Sequence, residues 1–223
     1  IIIIPSAMTV LLLREYSSAI HKKKKKVIRV LLIKNVFLFY FIASFFSVFI
    51  SQNSGFIALT FGGERFIEAS PVLAILCFYP LHQIYGQYVG SVFLAYNKTN
   101  IFRTVGTLCV VFGLALSIFF MGPKEFYCLE LGAVGYACKM ILYQFIASNI
   151  YLIIANKYIR LPLTKFFIHQ FLSIIILFTF VKISIFISEF YVSGSFQIFF
   201  VSGFIYSIFS IIFVAMFPNI LAL

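Results

Sequence analysis

The chain has 223 residues, of which 63% are hydrophobic and only 10% charged, with 31 Phe, no Trp and a formal net charge of +11. That balance excludes an ordinary soluble domain, which needs more polar surface to cover a core of this size. It also excludes a nucleic-acid surface, because the basic residues neither line one face nor alternate with exposed aromatics in a polar segment.

Taken in chain order, the first segment, Ile1 to Leu13, is apolar but too short to cross a hydrocarbon layer of about 30 Å. It reads as the end of a spanning helix, so the chain is expected to be the C-terminal part of a longer protein. A signal peptide would carry its basic residues before the apolar run, and here they follow it. Residues 14–26 form a basic connection in which Glu15 to Lys26 is suited to lie along the membrane surface as a short amphipathic helix. Lys22 to Lys26 directly precede a spanning segment, where each lysine attracts anionic membrane lipid with about 1 kcal/mol.

Six spans follow, each long enough at about 1.5 Å per helical residue: Val27 to Ser51, Ser70 to Tyr96, Ile101 to Met121, Leu131 to Ala155, Leu163 to Ile187 and Phe196 to Phe217. The expected fold class is therefore all-α, a polytopic bundle of transmembrane helices. Four spans occupy residues 27–155, and residues 156–223 add two more.

The charges orient this bundle. With residues 14–26 on the cytoplasmic side, Arg14, Lys22 to Lys26, Arg29, Lys34, Lys98, Arg103, Lys157, Arg160 and Lys165 all fall on or near that side. Only Arg65 and Lys124 fall in the opposite connections, which is the asymmetry the positive-inside rule demands. The expected location is a bacterial cytoplasmic membrane, with the C-terminus in the cytoplasm.

Signals for covalent chemistry are missing from the sequence. It contains no Asp, no HExxH, no GxSxG and no phosphate-binding glycine loop. Cys77, Cys109, Cys128 and Cys138 show neither CxxC pairing nor histidines at metal-ligand spacing. The expectation is a protein that is not an enzyme and needs no metal or cofactor.

What remains is polar chemistry inside the spans, where an ionisable group is costly and so a functional candidate. Lys139 lies about 12 Å into its helix and His82 about 18 Å into its own. Lys34 and Lys182 lie nearer the ends, where a long side chain reaches the headgroups. Gln83, Gln87 and Ser91 recur every four residues along one face, beside a stripe of His82, Gly86 and Gly90 that permits close helix approach. Lys139 shares a face with Tyr143, with Tyr136 a turn earlier and Gln144 alongside. The candidate substrate-binding residues are Lys139, His82, Gln83, Gln87, Tyr143, Gln144 and Lys34, a set suited to an anionic or sugar-bearing substrate. The glutamines and glycines also suit a plain helix–helix contact. Pro80 removes a backbone hydrogen bond beside His82 and should bend that helix, a recurring feature of transporter sites.

Three stretches carry a resemblance. Phe61-Gly62-Gly63-Glu64-Arg65-Phe66 continuing through Ala69-Ser70-Pro71-Val72-Leu73-Ala74-Ile75-Leu76 resembles a loop and helix start of polysaccharide-repeat-unit flippases. Leu94-Ala95-Tyr96-Asn97-Lys98-Thr99 is similar to a helix end of that family, and Leu131-Gly132-Ala133-Val134-Gly135-Tyr136-Ala137 to a helix start. The family is the Wzx-type O-antigen and capsule flippases of the multidrug/oligosaccharidyl-lipid/polysaccharide exporter superfamily. The resemblance implies two six-helix lobes, of which this chain would hold most of the second plus two extra C-terminal helices, the first lobe being its partner. It implies alternating access for an undecaprenyl-linked oligosaccharide, whose pyrophosphate a buried lysine can offset. A multidrug antiporter of the same superfamily and a membrane-embedded polysaccharide polymerase or glycosyltransferase are the alternatives. No carboxylate lies well inside the spans to serve the first, and no long loop is present to serve the second.

Overall fold

The structure, a computed structural model, describes residues 3–218. Its helices are α1 (Ile3–His21), α2 (Lys25–Gln52), α3 (Ser54–Gly62), α4 (Ser70–Leu76), α5 (Tyr79–Ala95), α6 (Thr99–Met121), α7 (Gly132–Ile159), α8 (Leu163–Tyr191) and α9 (Ser195–Met216). Among the described residues, six helical stretches are long and apolar enough to cross a membrane: α2, the broken stretch Glu64–Ala95, and α6 to α9. The protein is a multi-pass, all-α membrane protein.

Several boundaries differ from the sequence reading, most of all around the first connection. The helix expected to stop near Leu13 continues through Arg14 and Glu15 to His21, since no Gly or Pro interrupts 6–21. The connection shrinks to residues 22–24, and Lys25 and Lys26 already form the first turn of α2. Lys23 takes a left-handed φ of 56° there, and the Lys24 N–H reaches back to the Ala19 carbonyl at 2.8 Å. Asn97 ends α5 in the same way, with φ 54° and the Lys98 N–H on the Phe93 carbonyl at 2.8 Å. Both are closures that usually require glycine, and asparagine is the next most tolerant residue.

Packing follows membrane rules, with small residues and backbone contacts doing what apolar burial does in water. One core joins α1, α2, α5 and α7 through Tyr16, Leu32, Tyr40, Tyr85, Val89 and Leu152. A second joins α2, α8 and α9 around Phe41, Val48, Leu177, Val181 and Tyr206. Helix α2 belongs to both. On α8, Ser173, Leu177, Val181, Ser184 and Ser188 form a buried stripe, and Ser202, Tyr206 and Ser210 face it from α9. The Ser184, Ser188 and Ser210 hydroxyls bond carbonyls of their own helices, at 2.8, 2.7 and 2.8 Å, so they serve the interface by being small.

Three tyrosines fasten helices together by donating to a main-chain carbonyl of a neighbour. Tyr40 of α2 donates to Gln170 of α8 at 3.2 Å, Tyr206 of α9 to Phe45 of α2 at 3.0 Å, and Tyr151 of α7 to Phe102 of α6 at 3.2 Å. The α6–α7 connection satisfies carbonyls at the end of α6, taking the Leu129 and Leu131 N–H groups onto Phe119 and Phe120.

Gly135 marks a close approach to the end of α6, because a Cβ there would stand 2.7 Å from the Phe120 carbonyl oxygen. We expect Gly135→Ala to lower stability in detergent by about 1–3 kcal/mol. Gly55→Ala, where a Cβ meets nothing within 4 Å, should change it by less than about 1 kcal/mol. Thermal unfolding of the two variants side by side checks this.

Candidate functional site

The site is built around the break between α4 and α5. Pro80 has no N–H, so the helical ladder is lost at this turn and the chain steps from Leu76 to Tyr79 through a tight turn. The Cys77 N–H still reaches Leu73 at 3.1 Å, and the Leu81 N–H turns to Phe78 at 3.1 Å. The Cys77 carbonyl accepts instead from the Ser47 hydroxyl of α2. The Cys77 thiol in turn points at the Ser47 and Ala74 carbonyls, at 3.2 and 3.1 Å. A serine on a packed neighbour thus satisfies the carbonyl that Leu81 gives up when its N–H turns to Phe78. The bend expected beside His82 is present.

His82, three residues past the break, is 6% exposed and its Nδ1 has no hydrogen-bond partner among the described residues. Its ring stands edge-on to Phe145 at 5.0 Å and 6.1 Å from Tyr40. It borders a cavity of about 510 Å³ whose wall includes Tyr40, Cys138, Phe145, Gln170 and Phe171. Apart from His82, Tyr40 and Gln170 the lining is apolar or a thiol.

Lys139 does not join His82. It follows Cys138 by one residue, which is about 100° round the helix, and it is not among the residues that line that cavity. Its ammonium lies 5.4 Å from the Tyr136 ring centre and 5.9 Å from that of Tyr143, within cation–π reach of both. Tyr143 leans on α6, where a Cβ at Gly113 would be 3.0 Å from its ring. Gln144 leans on α5, its Nε2 standing 3.5 Å from where a Gly86 Cβ would be. Gln87 accepts from Ser6 of α1 at 3.4 Å, while the Gln83 Oε1 is buried without a partner among the described residues. Gln83, Gln87, Tyr143 and Gln144 are half-buried.

The seven candidates therefore fall in three places. His82 is at the cavity, and the glutamines with Tyr143 and Lys139 occupy the α1–α5–α7–α6 side. Lys34 is exposed on α2. Gly86 and Gly90 do allow close approach: Gly86 to Gln144, and Gly90 to the Phe102 ring, 3.1 Å from a would-be Cβ.

Three buried polar residues escaped the sequence reading. Gln170 and Asn149 exchange amide hydrogen bonds across α7 and α8, at 3.0 and 3.3 Å, and the Asn149 amide also reaches Phe145 at 2.8 Å. His169, 4% exposed, stacks on Phe37 at 4.1 Å, and both of its ring nitrogens lack partners among the described residues. All three lie inside spans, a signal open to view in the sequence.

The chain matches no protein-family model, no curated protein and no solved structure. The reading of the site thus rests on its own geometry. Because the Asn149–Gln170 pair is sealed between helices, it acts as structural glue. Replacing each by Leu singly and together should give a coupling of about 0.6–1.7 kcal/mol in a double-mutant unfolding cycle, the range for hydrogen bonds between membrane helices.

Proposed function

We propose that this chain is part of a flippase that moves undecaprenyl-pyrophosphate-linked oligosaccharide repeat units across a bacterial cytoplasmic membrane by alternating access. The observation that carries this reading is Lys139: a cation inside a spanning helix that meets two tyrosine rings and the Met140 thioether, with no carboxylate paired to it among the described residues. A site of that kind suits a mobile anion. Phenols and amides from Tyr136, Tyr143, Gln144, Gln83 and Gln87 on the same side suit sugar hydroxyls, and the resemblance to Wzx-type flippases supports the same substrate.

In this reading the basic end of the bundle faces the cytoplasm, as does the C-terminus, and anionic lipids hold Lys22 to Lys26 against the inner leaflet. The N-terminal lobe of the complete protein closes the other wall of the substrate path. Lys139 holds the pyrophosphate by charge, and the half-buried amides exchange bonds with the sugar as the lobes rock. Transport of this kind makes and breaks no covalent bond in the substrate. His82, on the wall of the cavity beside the helix break, packs α5 against Phe145 of α7.

The test is the sidedness of undecaprenyl-linked sugar in cells carrying the complete gene. Lys139→Ala should strand it on the inner leaflet and reduce surface polysaccharide by about tenfold or more, the scale expected on losing one charge-assisted contact, while Lys139→Arg should keep most of it. Normal surface polysaccharide in the alanine variant would remove the proposal. Normal sidedness with short polymer would favour a polymerase, and lost dye efflux with normal polysaccharide a multidrug antiporter.

A further inference from the structure

At the basic end, the first turns of α2 and the last turn of α7 enclose a pocket of about 420 Å³ that the substrate path does not use. Its wall carries Lys25, Lys26 and Arg29 from α2, and Lys157, Tyr158 and Arg160 from the end of α7. No acidic side chain lines it. Five cations from segments about 130 residues apart in sequence therefore share one concavity, and they repel one another across it. The strain is greatest on α2, where lysines crowd the positive end of the helix dipole and the first turn holds no acidic residue. Arg160 is held at the rim by a left-handed backbone with φ 49°, its N–H on the Asn156 carbonyl at 2.9 Å.

The surroundings identify the kind of anion. One helical turn deeper than Lys26 on the same face is Val30, 56% exposed, and one turn deeper than Lys157 is Ile153, 47% exposed. Both belong to stretches that cross the membrane, so the cationic pocket opens directly onto acyl-chain-facing apolar surface. A ligand that fits has a phosphate head and hydrocarbon immediately beneath it. Basic pockets between spanning helices take anionic lipid headgroups in just this position.

We propose that this pocket is a discrete binding site for the phosphodiester of an anionic phospholipid, clamped between α2 and α7. Arginine at two of the five positions supplies the forked donors that match phosphate oxygens, and Tyr158 adds a phenol. The lipid ties the start of α2 to the end of α7. The site depends only on the helices spanning a bilayer and stands whether or not the chain belongs to a flippase.

The test compares two triple variants of the full chain, purified in detergent and reloaded with either phosphatidylglycerol or phosphatidylcholine, with retained lipid counted by native mass spectrometry. Lys26→Gln/Arg29→Gln/Arg160→Gln removes three charges from the pocket, whereas Lys98→Gln/Arg103→Gln/Lys165→Gln removes three exposed charges that lie outside it. Phosphatidylglycerol should be retained by the parent and by this second variant to within about threefold, and lost by about tenfold or more from the pocket variant. Phosphatidylcholine should be retained by none. Equal loss from both triples would overturn the proposal in favour of a diffuse surface charge. Thermal stabilisation by inorganic pyrophosphate matching that by phosphatidylglycerol would overturn the lipid assignment in favour of a soluble phosphate. If the pocket triple does not fold, the single variants Arg29→Lys and Arg160→Lys keep the charge and lose the fork. Each should lower phosphatidylglycerol retention by about threefold, and no change in either would sink the site.

Discussion

In a hydrocarbon layer every peptide N–H and C=O of a spanning segment must find its partner within the protein, since no water is there to supply one. The stretch Glu64–Ala95 meets that demand from another helix. Proline at position 80 deprives the ladder of a donor, and the turn at Cys77–Phe78 frees the Cys77 carbonyl. Ser47 of α2 takes that carbonyl, and the Cys77 thiol answers toward the Ser47 carbonyl. The location of α5, and of every polar residue on it, is therefore set by a contact between α2 and a broken helix. Without a small hydroxyl residue at 47 the break would leave an unsatisfied group in the membrane, a defect of several kcal/mol.

The same demand sorts the polar side chains. Most are already answered for: Ser184, Ser188 and Ser210 bond their own helices, Asn149 and Gln170 bond each other, and Tyr40, Tyr151 and Tyr206 bond main-chain carbonyls of adjacent helices. Groups so satisfied hold helices together and have nothing left to offer a ligand. Among the described residues, Lys139 has only ring faces and a thioether about it and the Gln83 carbonyl has no partner. These two groups, unlike the rest, are the ones that the proposed anionic substrate would complete. His82 and His169 also lack partners for ring nitrogens among the described residues, yet both are packed edge-on or stacked against aromatic rings, as flat packing groups are.

The spans were legible because hydropathy over a window of about 20 residues is a local property. Helix limits were less so, since Arg14, Glu15, Asn156 and Glu189 are polar and still helical: the backbone does not stop where the apolar run stops. The bend at Pro80 was legible from one residue; the serine that repairs it lies 30 positions upstream and could not be chosen among many serines. The candidate set was legible by chemistry and not by grouping. Cys138 and Lys139 are adjacent in sequence, but a rotation of about 100° separates their faces, and only the packing of α7 against α5, α6 and α8 decides which neighbour each one meets. The basic residues carried a reading of sidedness, in which Arg160 and Lys26 are two tallies on one side. That they wall a single concavity depends on where α7 ends relative to where α2 begins.

Helix α2 explains how a bundle with two cores behaves as one body. Its Leu32, Val36 and Tyr40 face α1 and α5, while Phe41 and Val48 face α8 and α9. Tyr206 stacks on Phe45 and Phe49 at 4.6 and 5.7 Å and donates to the Phe45 carbonyl, so α9 is fixed to α2 by ring contact as well as by a hydrogen bond. The charge cluster at the start of α2 stands at one end of the helix that both cores share, so the lipid proposed there would join α7 to the same helix that carries α8 and α9.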